Sequence, residues 1–120
     1  MESILTSIKK LLGMGEDYTH FDDDIIMHIN MVFSTLNQLG VGPPNGFIIK
    51  DNEAVWGDFV NDEKKFEAVK TYIYLKVKTV FDPPQSSAVL ESIKENIAEL
   101  EWRLSDSAEE KKYKEENQNE

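Results

Sequence analysis

The sequence contains no cysteine, which excludes disulfides, thiolate metal sites and thiol nucleophiles together. Stability must come from packing. Long apolar runs are also missing: none approaches the roughly 20 residues of a bilayer-spanning helix. The opening stretch MESILTSIKKLL has no basic start followed by an uninterrupted apolar segment. The expectation is a soluble protein without a membrane partner, made in the cytoplasm and kept there or carried in a particle assembled there. Basic residues are the third shortage, 13 Lys and Arg against 23 Asp and Glu, for a formal charge of -10. Gripping nucleic acid means replacing phosphate counterions with Lys and Arg, so most of this surface repels it. Solubility is the plain explanation of the charge.

Chemistry-bearing patterns are few. The two histidines, His20 and His28, lie near Asp24 and in principle offer a nitrogen and oxygen metal site. Three adjacent acids at a helix start are better explained by capping and the helix dipole, so no metal is assigned. Ser86 and Ser87 stand beside prolines with no histidine close in sequence and no glycine-flanked elbow. VGPPNG lacks the Lys and Ser/Thr of a phosphate-binding loop and reads as a turn. No catalytic residue and no cofactor is expected.

What is present is helical patterning on a chain of 120 residues, 40% of them hydrophobic, enough for one core. Ile4, Leu5, Ile8, Leu11 and Leu12 make one stripe on a short first helix, ended by Gly13 and Gly15. Asp22, Asp23 and Asp24 open a second, which carries Ile25, Ile26, Ile29, Val32, Phe33, Leu36 and Leu39 and ends at Gly40. Gly42, Pro43, Pro44 and Gly46 then break the rhythm, and FIIK and AVW around the polar DNE suit two short strands in a small β-hairpin. Asn61 and Asp62 cap a third helix through Phe66, Val69, Ile73, Val77 and Val80. Its second half, residues 71–81, alternates almost like a strand; helix is preferred because no breaker separates it from EKKFEAVK.

FDPPQSS forbids one continuous helix. Asp82, with Pro83 in the first turn and Gln85 completing a capping box, or else Ser86 and Ser87, starts the fourth helix. Leu90, Ile93, Ile97, Leu100 and Leu104 form its heptad-like seam. The expected fold is therefore mainly α, a four-helix bundle-like domain over residues 1–104 with a β-hairpin between the second and third helices. Residues 105–120 lose the apolar periodicity and are expected to be a charged, disordered tail.

Some apolar residues lie off the core stripes. Met27 and Met31 project away from the second helix's stripe, Tyr74 and Leu75 fall off the third's, and Trp102 sits beside the seam. These five are the candidate subunit interface; cover by the hairpin or the fourth helix is the other reading. Trp56, beside Gly57 and followed by Phe59, is expected to plug the hairpin onto the helices.

The order of elements and several strings resemble the head-tail connector proteins of long-tailed double-stranded DNA phages, also called head completion or neck adaptor proteins. These strings are the acidic-capped helix, LGVGPP, the Trp56, Asp58 and Phe59 group, VKTYIYLKVK, FDPP, LESIK and ELEWRL, spread from Asp22 to Leu104. The resemblance implies a mostly helical virion subunit at the neck, without cofactor or catalysis, assembled in the host cytoplasm. It implies a ring of identical copies beneath the portal protein that extends the DNA channel and docks a further neck or tail protein. It assigns structural roles to Trp56 and Phe59 as anchors, to Tyr72 and Tyr74 in the third helix, and to Pro83 and Pro84 at the hinge. An acidic lining would let the genome pass without sequence-specific binding. The first helix and the tail are candidates for segments that order on assembly. The competing class is an acidic DNA mimic that occupies a basic site on another protein, supported by the charge and the DDD run.

Overall fold

The computed structural model describes residues 2–118, and within them the chain forms five helices: α1 (Ile4–Leu11), α2 (Asp22–Gln38), α3 (Trp56–Phe59), α4 (Glu63–Phe81) and α5 (Ser87–Gln118). The α4 helix is the centre. Both α2 and α5 pack on it, and α1 packs against α2 and α4. The molecule measures 52 × 35 × 20 Å. That width suits three helices side by side at 8–10 Å spacing, and the thickness suits two layers.

The start of each helix follows from its sequence. Ser3 caps α1 by accepting from the Thr6 N–H at 3.3 Å, and Asp62 caps α4 by accepting from the Lys64 N–H at 2.9 Å. The first turn of α2 holds Asp22, Asp23 and Asp24, but its N-cap is Phe21 and no side chain caps it, so the expected capping by the acids is replaced by their charge at the helix start. Residues 71–81 are helix throughout. Their strand-like composition has a physical cause: α4 is covered by α1, α2 and α5, so it takes apolar and aromatic residues on more than one face. Val69, Tyr72, Ile73 and Val77 are buried, while Val80, expected on the same stripe, is 62% exposed at the helix end.

At the hinge, Asp82 is the C-cap of α4 and does not cap α5. Ser86 does so, its Oγ accepting from the Val89 N–H at 3.3 Å. The seam packs as expected: Ile93, Ile97 and Leu104 are buried, and Leu90 and Leu100 are half-buried. Where apolar periodicity fades after Leu104, the helix continues to Gln118. Ala108 still touches the body at Gly40, and residues 109–117 are exposed.

The expected β-hairpin is absent among the described residues. Phe47, Ile48 and Ile49 alternate half-buried, exposed and buried, as extended backbone should, but they do not pair with AVW. The Asn30 side chain takes the place of a partner strand, donating to the Ile49 carbonyl at 3.0 Å and accepting from the Ile49 N–H at 2.8 Å. AVW turns instead to the N-terminus. Val55 makes an isolated antiparallel bridge with Ser3, and the Ile4 N–H donates to the Ala54 carbonyl at 3.0 Å. Trp56 and Phe59 then lie in the short α3.

Two further ties set the fold. Trp56 is fully buried and its Nε1 donates to Ser7 Oγ at 2.8 Å; it anchors α3 onto α1 rather than a hairpin onto the helices. With Ile4 and Ile8 also fully buried, α1 belongs to the core in the isolated subunit. Gly42, at φ +93°, lies against the edge of the Phe59 ring, where any Cβ would overlap it. Phe59 in turn packs with Phe33 and Phe47, ring centroids 4.8 and 5.4 Å away.

Candidate functional site

Of the five residues proposed as an interface, three are exposed and two are partly covered. Met27 is 53% exposed, Met31 64% and Trp102 68%. Tyr74 and Leu75 are half-buried and packed against the core. Helical spacing places Met27 and Met31 in one row with the exposed Ser34 and Gln38, directly away from the buried Ile25, Ile29 and Leu36. Trp102 lies on the side of α5 turned away from Ile97 and Leu104. The two faces belong to different helices, α2 and α5, each packed on α4.

Ile48, 63% exposed, is a further exposed apolar residue that the sequence reading did not single out. The tie between Asn30 and Ile49 holds its backbone beside α2, and Asn30 is adjacent to Met31 and one turn from Met27. A signal for this face was present in the sequence: from Ile25 to Ile49 there is no Asp, Glu, Lys or Arg, in a chain that is 30% charged.

An open groove of about 1090 Å³ lies where the Gly40–Pro44 turn, residues 59–62 and the last turns of α5 converge. Leu39, Val41, Phe59 and Ala108 give it apolar walls, and Lys65, Lys111 and Lys112 stand among Asp62, Glu109 and Glu115. Among the described residues no group of three His, Cys, Asp or Glu side chains could hold a metal ion, and no helix is long and apolar enough to cross a membrane.

The polar groups that are buried serve structure. Lys9, 2% exposed, pairs with Asp22 Oδ1 at 2.8 Å and donates to the Glu16 carbonyl at 3.1 Å, joining the end of α1 to the start of α2. Asp22 therefore does more than favour a helix dipole. Glu2 bridges Lys70 at 3.3 Å and Lys10 at 3.4 Å; partial burial works to raise its pKa, but the two lysines outweigh it and hold the carboxyl below its ordinary value. Burial, with the Glu101 carboxylate adding to it, pushes the Tyr72 phenol up. Its hydroxyl has no hydrogen-bond partner among the described residues.

Exposed apolar side chains on helix surfaces, Met27 and Met31 on α2 and Trp102 on α5, are the kind of feature through which proteins work by contact. The chain matches the phage connector protein family over residues 4–111, so it is a member of that family. The match reaches beyond the Asp22–Leu104 span of the resembling strings, taking in α1 and part of the helical extension of α5. Connector proteins are structural, and membership implies contact with other head or tail proteins of the phage. No curated protein and no solved structure matches the chain.

Proposed function

We propose that this protein is a neck subunit of a tailed phage, assembling as a ring at the portal vertex, extending the DNA channel and presenting a surface for the next neck or tail protein. Membership in the connector family over residues 4–111 carries this reading. The charge of -10 supports its second half: a channel that repels phosphate lets DNA move without sticking. Met27, Met31, Tyr74, Leu75 and Trp102 are the proposed subunit contacts. Residues 105–120 are the proposed tail, whose exposed turns settle on a neighbouring subunit or neck protein.

Electron microscopy of the protein mixed with portal-containing capsids tests the reading. The expected result is added ring density at the portal vertex. A bare portal, together with a monomer that competes with DNA for a basic protein, would replace it with the DNA-mimic class.

A further inference from the structure

Two copies of a chain with charge -10 repel each other across most of their surfaces. Like charges brought together at a contact cost several kcal/mol. One face escapes this cost. The outward row of α2 (Met27, Met31, Ser34, Gln38) and the neighbouring Ile48 lie within the stretch from Ile25 to Ile49, which holds no Asp, Glu, Lys or Arg; the exposed Asp23 and Asp24 border it one turn before Met27. Depletion of charge with enrichment of methionine is what distinguishes the centre of a protein interface from ordinary surface. A basic partner would gain more from the acidic surfaces elsewhere, so this face suits a partner that is itself acidic.

The α5 helix supplies a matching element. On α5, Trp102 projects 68% exposed from a face whose other residues include Glu95, Glu99 and Asp106. An exposed tryptophan is the commonest kind of interface anchor, and methionine sulfurs make favourable contacts with aromatic rings. Acids flanking Trp102 would meet no carboxylate between Met27 and Gln38, provided they dock clear of Asp23 and Asp24 at the start of the row.

We infer that the α2 face of one copy receives the Trp102 face of α5 from the next, a head-to-tail contact between identical chains. Because donor and acceptor are different surfaces, the contact is heterologous and closes into a ring when the rotation between copies allows it. This inference rests on the ring reading above and specifies which surfaces form the ring.

The absence of cysteine makes the test direct. Ser34→Cys and Ala98→Cys place thiols at exposed positions, one turn from Met31 and one turn from Trp102. Mixed and oxidised, the two variants are expected to form a disulfide-linked pair that neither forms alone, and the chain carrying both should give a ladder of linked oligomers. Met31→Asp and Trp102→Ala should each reduce the assembled fraction about tenfold or more in sedimentation, with unchanged circular dichroism and melting temperature. Self-linking of Ser34→Cys would show two α2 faces pairing across a two-fold axis and overturn the inference. So would a wild-type ring on the portal that persists in Met31→Asp and yields no mixed disulfide, which leaves the neck reading intact. A mixed disulfide without portal binding would support the contact and remove the neck reading instead.

Discussion

Replacing Asn30 with alanine removes the one side chain that stands in for a strand partner. Two hydrogen bonds to Ile49 are lost, at 2.8 and 3.0 Å, each with a net value of about 1 kcal/mol. The Ile49 side chain is buried, so its N–H and C=O cannot both turn to water without lifting that side chain from the core. Adding part of the penalty for unsatisfied groups gives an expected loss of roughly 2–3 kcal/mol, or a fall in melting temperature on the order of 10 °C for a domain of this size. Urea unfolding followed by circular dichroism measures the loss, and hydrogen exchange at the Ile49 amide localises it. Asn30→Asp separates the two bonds: the carboxylate still accepts from the Ile49 N–H, but it cannot donate to the carbonyl and faces it with negative charge. Amide protection should then survive in part while stability still falls. An Asn30→Ala protein within about 0.5 kcal/mol of wild type, with its Ile49 amide still protected, would refute the idea that Asn30 holds the segment.

Two further expectations concern single sites. Gly42→Ala should lose about 2 kcal/mol or more in urea unfolding, since it adds backbone strain to an overlap with the Phe59 ring; Gly46→Ala, at φ +88° with open space around it, should lose only the backbone part, about 1 kcal/mol. Equal losses at the two glycines would remove the steric explanation. Tyr72→Phe should leave stability at neutral pH within about 1 kcal/mol, because the hydroxyl makes no hydrogen bond of ordinary geometry even though the Glu101 carboxylate is close enough to act on it. The folded phenol titrates above its ordinary value of 10.0, so the wild type keeps this contribution below that pH and loses stability as pH rises beyond it and the unfolded chain ionises. Melting curves at pH 8 and pH 10.5 should show Tyr72→Phe gaining on wild type at the higher pH, and a constant difference would contradict the shift.

Much of the helical scaffold was legible because its signals are local. The acids before Ile25, the Asp62 cap and the seam from Leu90 to Leu104 each act within a few turns of their own helix. The α4 helix was harder, since a central helix covered on several faces takes on the composition of a strand. The hairpin was misread for a different reason. The alternation of Phe47, Ile48 and Ile49 correctly signals extended backbone, but the groups that satisfy it belong to Asn30, on a helix far back in the sequence. Local pattern reports the conformation of a segment and is silent about its partner. The exposed apolar surface was half visible: Met27, Met31 and Trp102 stand out as apolar residues off their stripes, but Ile48 lies beside α2 only through the same Asn30 tie. Tyr74 and Leu75 left their stripe in the pattern yet pack against the core, because the covering of α4 is wider than one stripe.

The contrasting places of the two tryptophans make the protein its own spectroscopic gauge. Trp56 lies sealed against Ser7 and near Phe66, with ring centroids 5.6 Å apart, so its emission reports on whether α1 and α3 stay docked. Trp102 stands in solvent, where a soluble quencher reaches it until another molecule covers it. With Trp102→Phe and Trp56→Phe as single-emitter variants, folding and association can be followed separately in one solution, without an attached dye.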